Sequence, residues 1–184
     1  MSQHFGPVTS SKPAQNRGDI AIDAELVRHA QRVTGKLKAK GLSLAIAESY
    51  TAGFIASVLS QTEGAGDVLQ RRFVTPTKEN KAAELGVSLR LLAQNTSAAV
   101  VEAMAKGALA RSAATIALAV SGDLAPGPYE DGNRVGLVYF CCRNRFGQSV
   151  CIGKDFGDNT NGDPMWLTVV TALTILEDFV RKAG

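Results

Sequence analysis

Two short apolar runs, Leu42 to Ala47 and Thr115 to Val120, interrupt a chain whose other apolar residues recur mostly at helical spacing. Runs of this length without polar alternation read as strands covered on both faces. Each ends abruptly in small and hydroxylated residues: Glu48-Ser49-Tyr50-Thr51-Ala52-Gly53 after the first, Ser121-Gly122 after the second. Upstream, Asp23 is placed to cap a helix whose Leu26, Val27, Ala30, Val33 and Leu37 share one face. Gly41, after the basic end Lys36-Lys38-Lys40, stops it. Phe54 to Gln61 reads as the helix that follows the Ser49 turn, and Gly64-Ala65-Gly66 as punctuation. Leu69 to Thr75 reads as a strand that Pro76 ends, because proline cannot donate to a ladder. Thr77 then caps a helix through Lys81 to Leu85, closed by Gly86. A short helix from Ser88 to Ala93 follows, then a longer one from Ser97 with Val100, Val101, Met104, Ala108 and Leu109 on one side. Val135 to Cys142 and Ser149 to Asp155 form a predicted hairpin turning at Phe146-Gly147, and Met165 to Lys182 a final apolar helix.

Strands alternating with helices, plus one hairpin, define an α/β fold: a three-layer α/β/α sandwich with a mixed sheet. Helices must cover both faces, since the two apolar runs carry no solvent-facing side. Residues 23–184 read as one domain. Residues 1–22, rich in Ser, Pro, Gln, Gly and Asn without periodicity, read as a disordered extension. Hydrophobic content of 45% and charged content of 20% are those of an ordinary globular chain. No apolar run is long enough to cross a bilayer, and the N-terminal segment lacks the apolar centre of a signal peptide, so the expectation is cytoplasmic. The net charge of +3 is small and comes partly from Lys12 and Arg17. No dense basic stripe interleaved with aromatics argues for a nucleic-acid partner. The three cysteines, Cys141, Cys142 and Cys151, lack metal-site spacing. Cys141 and Cys151 lie on the candidate hairpin strands and could approach, but the expectation is reduced, buried thiols. With only two histidines, His4 and His29, there is little material for a metal site or a Ser-His-Asp triad.

The chemistry concentrates at the end of the first run. A serine leaving a strand for a helix stands beside unpaired main-chain N–H groups in the positive field of the helix dipole. Ser49 is therefore a candidate nucleophile, or alternatively a simple helix cap. A serine needs a base, and a buried lysine can serve. Glu48 reads either as a site carboxylate, orienting Lys81 or holding a ribose hydroxyl, or as a charged residue at a strand exit. Thr51 reads as a substrate contact or a cap of the second helix. Ser121 and Gly122 end the second run and should face the same crevice, with Gly122 permitting close approach of a ligand. Asp123 to Asn133 is no dinucleotide-binding fingerprint.

Glu48-Ser49-Tyr50-Thr51-Ala52-Gly53 resembles the Glu-Ser-Cys-Thr-Gly-Gly motif of the C-terminal domain of competence/damage-inducible CinA proteins, the nicotinamide-nucleotide amidases. Phe73-Val-Thr-Pro-Thr-Lys-Glu-Asn-Lys81 is similar to that family's Phe-Val-Thr-Tyr-Ser-Asn-Glu-x-Lys. Ala119-Val-Ser-Gly-Asp-Leu-Ala-Pro126 resembles its Ser/Thr-Gly-Ile-Ala-Gly-Pro loop. The resemblance implies a catalytic Ser49–Lys81 pair and hydrolysis of nicotinamide mononucleotide to nicotinic acid mononucleotide and ammonia, with no cofactor and no metal. Glu48, Thr51, Ala52, Gly53, Ser121 and Gly122 would bind the substrate, the amides of Thr51 to Gly53 holding the oxyanion. The implied partners are a small-molecule nucleotide and further copies of the chain in a homo-oligomer. Three departures stand out: Tyr50 at the motif cysteine, Pro76 at the family's catalytic tyrosine, and Gly157-Asp158-Asn159 where a Gly-Asp-Arg signature is expected. They leave an alternative, a non-catalytic nucleotide-binding or regulatory module on the same fold.

Overall fold

Both apolar runs lie inside one sheet. In a computed structural model that describes residues 22–93, 96–122, 136–157 and 163–182, β1 (Leu44–Glu48) and β3 (Ile116–Gly122) are parallel neighbours, with Leu44 opposite Ile116 and Glu48 opposite Val120. Every residue of β1 is buried, as is every residue of β3 but the last. β2 (Leu69–Val74) adds a parallel edge beside β1. β4 (Leu137–Asn144) and β5 (Ser149–Asp155) continue beyond β3 as an antiparallel hairpin, giving the order β2-β1-β3-β4-β5. The sheet is mixed, as the sequence predicts.

Helices cover both faces. On one side α1 (Ala24–Ala39), α2 (Phe54–Ser60) and α7 (Pro164–Lys182) pack on Leu44, Ile46, Leu118, Val120, Val138 and Phe140. On the other, α4 (Lys78–Leu85) and α6 (Ala98–Ala110) pack on Ala45, Ala47, Ala117, Ala119 and Cys141. The alternation large–small along β1 and β3 thus sets the two cores apart, and the alanine face lets α6 sit close to the sheet. Two one-turn helices, α3 (Ala65–Val68) and α5 (Leu89–Leu92), join the longer elements.

The local signals act where the sequence puts them. Asp23 accepts from the Glu25 amide at 2.8 Å and starts α1; Thr77 accepts from the Asn80 amide at 3.1 Å and starts α4. Gly86, at φ +68, closes α4. Boundaries shift slightly: Ser121 and Gly122 belong to β3 itself, and Gly64-Ala65-Gly66 opens α3 rather than a bare turn. His29 of α1 bonds Glu177 of α7 at 3.0 Å, a satisfied histidine between two helices.

One expectation is corrected. Cys141 and Cys151 are opposite each other in the β4–β5 register and are joined by a disulfide, whereas the sequence reading expects reduced thiols. The register is the cause: the hairpin closes through Asn144 and Gln148, with Gly147 at φ +93, and this turn places the two cysteines directly across from one another. Cys142 is buried as a free thiol, and burial pushes its pKa up. The extension expected at residues 1–22 lies outside the described residues except for Ile22, as do Asp123 to Val135 and Asp158-Asn159.

Candidate active site

Strand parity decides which face Ser49 occupies. Ala45 and Ala47 face the α4–α6 layer, so the next residue of that phase, Ser49, leaves the carboxyl end of β1 on the same side. The Ser49 amide donates to the Val120 carbonyl at 3.1 Å, which extends the β1–β3 ladder one step and puts Ser121 beside Ser49. On the opposite edge the Thr75 amide donates to the Glu48 carbonyl at 2.8 Å, carrying the β2 ladder to the Pro76 corner. The chain then enters α4, whose inner face is Lys81 and Leu85. The Lys81 Nζ donates to Ser49 Oγ at 2.9 Å. Each of the two residues is only 6% exposed. The pairing of Ser49 with Lys81 is therefore formed by β1 and by the crossover that follows it.

Glu48 points the other way. Its two carboxylate oxygens accept from the Ile55 amide at 3.1 Å and the Ala56 amide at 2.9 Å, so it caps α2 from outside the helix. Burial raises its pKa above the ordinary carboxylate value, against the pull of the Thr51 hydroxyl and of the Ala56, Ile55 and Gly53 amides. This corrects two sequence expectations. Glu48 does not orient Lys81, because it lies in the opposite strand phase. Nor are the α2 amides free for a substrate anion, because Glu48 already holds them.

The rest of the motif builds the turn. The Ala52 amide donates to the Ser49 carbonyl at 3.2 Å, and the Phe54 amide to the Thr51 carbonyl at 2.8 Å. Ala52 is exposed and sits at φ +51, Gly53 at φ +90, two successive left-handed residues that carry the chain from strand to helix. The Thr51 side chain does not cap α2. Its hydroxyl lies near Glu48 but, buried at 1% exposure, makes no well-directed hydrogen bond among the described residues. Ser121 is fully buried, and its hydroxyl has no hydrogen-bond partner among the described residues. Gly122 falls in the phase opposite Ser49, where an added Cβ would lie 2.9 Å from the Leu137 carbonyl oxygen. The close approach that this glycine permits among the described residues is to β4.

Two neighbours of the site have contacts that the sequence does not disclose: Tyr50, noted there only as a departure from the motif, and Tyr139, not singled out at all. Tyr50, half-buried, donates its hydroxyl to Thr168 of α7, whose own hydroxyl donates to the Pro164 carbonyl at 2.8 Å. Burial pushes the Tyr50 pKa upward, so this phenol stays protonated. Tyr139 lies opposite Ser121 in the β3–β4 register, with its ring packed over Gly153. Neither partner is close in sequence, so only the register and the α7 packing disclose them. Pro76 is exposed at the corner between β2 and α4.

A mixed α/β sheet that presents a serine at a strand end to a lysine from the following crossover defines a buried serine–lysine site. The chain belongs to the CinA C-terminal domain family, whose model matches residues 27–180. It is similar to the nicotinamide-nucleotide amidohydrolase PncC of Escherichia coli K12, 31% identical over 87% of this chain and 98% of that protein. A CinA-like protein of Geobacter sulfurreducens is 35% identical over 90% of this chain and 37% of that protein. Among solved structures, the competence/damage-inducible protein CihA of Agrobacterium tumefaciens superposes with a TM-score of 0.80 at 33% identity, over 87% of this chain and 98% of that one. A competence damage-inducible protein from Klebsiella pneumoniae gives 0.80 at 31% identity, over 86% of this chain and 99% of that one.

Proposed function

We propose that this chain is a nicotinamide-nucleotide amidase that acts through Ser49 and Lys81. The observation that carries the reading is the 2.9 Å hydrogen bond between the two buried side chains, on a chain similar to an amidohydrolase along nearly all of that relative's length. Ser49 Oγ attacks the carboxamide carbon of nicotinamide mononucleotide while its proton passes to Lys81 Nζ. The carbonyl electron pair moves to oxygen and returns as the C–N bond breaks. Lys81 delivers the proton to the departing nitrogen, which leaves as ammonia. Water, deprotonated by the same amine, then cleaves the ester and releases nicotinic acid mononucleotide. No metal and no cofactor enter this sequence. Ser121, in the same strand phase and row as Ser49, is the side chain best placed to hydrogen-bond the substrate, since its buried hydroxyl has no partner among the described residues.

Ammonia release from nicotinamide mononucleotide tests the reading. Ser49→Ala should lower turnover at least about 1000-fold with the fold intact, and Lys81→Met nearly as much, because the pair acts as a unit. Wild-type turnover that survives Ser49→Ala would sink the mechanism. A second reading, a nucleotide-binding module without catalysis, is favoured by Pro76, which has no proton to give at the position of the family tyrosine. Calorimetry showing tight binding of the nucleotide with no ammonia release would establish it. The same proposals place the chain in the cytoplasm with its substrate and make it a homo-oligomer. The latter is supported by Trp166, Leu167, Val170 and Ile175 of α7, which stay only partly buried, and sedimentation tests it.

A further inference from the structure

We propose that Tyr139 is a specificity residue of the Ser49 site, one face of its ring receiving the positively charged pyridinium of the nucleotide and so selecting the oxidised over the reduced form. The inference takes its ligand from the amidase reading, on which it rests, and assigns a residue that lies in none of the motifs around Ser49, Lys81 and Ser121. The oxidised nicotinamide ring carries a permanent positive charge. The reduced dihydropyridine ring is neutral, with the same carboxamide and the same ribose phosphate.

The register places the residue. Glu48 is opposite Val120, so Ser49 stands beside Ser121; Ser121 is opposite Tyr139, and Tyr139 opposite Gly153. The four form one row across β1, β3, β4 and β5, on the face whose Ala45, Ala47, Ala117 and Ala119 pack under α4 and α6. Val138 and Phe140, on either side of Tyr139, are fully buried in the other core, whereas Tyr139 is half-buried. Two strand spacings, roughly 10 Å, separate it from Ser49. A carboxamide held at Ser49 extends its pyridinium ring along the row. That brings the charge within the ~6 Å of a ring centroid at which a cation is drawn to an aromatic face.

The ring is set for that contact. Its Cε1, Cδ1 and Cζ stand 3.0, 3.3 and 3.7 Å from the place that a Gly153 Cβ would take. One ring face therefore leans on Gly153, and the opposite face turns back toward Ser121 and Ser49. A side chain at position 153 would drive the ring along the row, so the glycine fixes how far it stands from Ser121. The charged neighbours do not serve a cation instead. Lys81 brings an amine to Ser49, not a counter-charge. Glu48 lies on the other face and holds the Ile55 and Ala56 amides. Asp155, in the phase of Gly153, is exposed and accepts from the Gly157 amide at 2.9 Å.

The test compares the Kd of oxidised and reduced nicotinamide mononucleotide by calorimetry, in a Ser49→Ala background that stops turnover, beside ammonia release by the unmodified chain. The oxidised form should bind about 3- to 30-fold more tightly than the reduced. Tyr139→Phe should keep that ratio, and Tyr139→Leu should bring it to about one by weakening the oxidised form alone. Difluoro- and trifluorophenylalanine at position 139 keep the ring's shape while draining its face of charge, and should lower the ratio stepwise. This series decides alone if the leucine variant does not fold. A role limited to covering Gly153 would weaken both nucleotides alike. Equal weakening, or a ratio that leucine and fluorination leave unchanged, overturns the proposal. A fluorination-sensitive preference without ammonia release supports Tyr139 while the amidase reading falls. Ammonia release without any preference leaves the amidase reading standing and sinks the role of Tyr139. If neither nucleotide binds and no ammonia is released, both fall.

Discussion

At the residue scale the site is governed by which hydrogen-bond donors are already committed. Glu48 and Ser49 are sequence neighbours, yet strand parity sends one to the α2 amides and the other to Lys81. Glu48 therefore acts on the site through the turn, and its removal should register as stability. Glu48→Ala leaves the buried Ile55 and Ala56 amides without acceptors, at about 1–3 kcal/mol for each unsatisfied group. We expect a loss of about 2–4 kcal/mol in urea-induced unfolding. A change below about 0.5 kcal/mol would mean that water replaces the carboxylate at these amides. Tyr50 stands in contrast. Its hydroxyl bonds Thr168, so Tyr50→Phe removes one link between the turn and α7, costing about 1 kcal/mol, while the ring keeps its packing.

At the element scale, the placement of Lys81 depends on how closely α4 lies against α6. Gly107 of α6 has no side chain, and a Cβ there would come within 2.0 Å of the Leu85 carbonyl oxygen of α4. Gly107→Ala must therefore push the two helices apart or distort them, an overpacking cost of about 1–3 kcal/mol. Because Lys81 and Leu85 share the inner face of α4, the same shift draws the amine from Ser49. The expected outcome is a lower melting temperature together with a fall in Ser49 labelling by a fluorophosphonate probe. Full labelling in a destabilised variant would show that α4 carries Lys81 independently of this contact. Which elements exist was legible in the sequence, because apolar runs, caps at Asp23 and Thr77 and the stop at Gly86 are local signals. The Glu48 cap was not, since its carboxylate reaches amides seven and eight residues on and outside any capping-box spacing. Nor was the Ser49–Lys81 contact available from spacing; motif resemblance supplied it, and the β1-to-α4 crossover explains it. The Cys141–Cys151 bond follows from a hairpin register that the turn at Phe146-Gly147 sets, so the approach of the two cysteines was visible while their direct opposition, and hence the bond, was not.

For the whole molecule, two buried or half-buried carboxylates bend the pH dependence of stability in opposite directions. Glu177 of α7 lies between Lys36 at 2.8 Å and His29 at 3.0 Å on α1, and these partners, Lys36 foremost, hold its pKa below its ordinary 4.5. A carboxylate with a depressed folded pKa contributes stability that is present above 4.5 and lost as pH falls through the folded value. Asp23 is depressed chiefly by the Glu25 amide, and Asp67 by Lys38; both act in the same sense at exposed positions, where solvent screening keeps them small. Glu48 is the reverse case. Its folded pKa lies above 4.5, so its contribution is fully present below 4.5 and declines as pH rises through the folded value and a buried charge must form. The melting temperature should thus climb through the acid range as the α1–α7 contact ionises, then fall off above 4.5 as Glu48 does. Two variants separate the limbs. Glu177→Gln should flatten the acid side and converge with the wild type at low pH, where Glu177 is protonated in both states. Glu48→Gln should be less stable throughout, because its amide NH2 faces the Ile55 and Ala56 amides, but should lose the decline on the higher-pH side. Melting curves from pH 3 to 8 that stay parallel for all three proteins would show that neither carboxylate is coupled to folding in this way, and that the pH response arises elsewhere in the molecule.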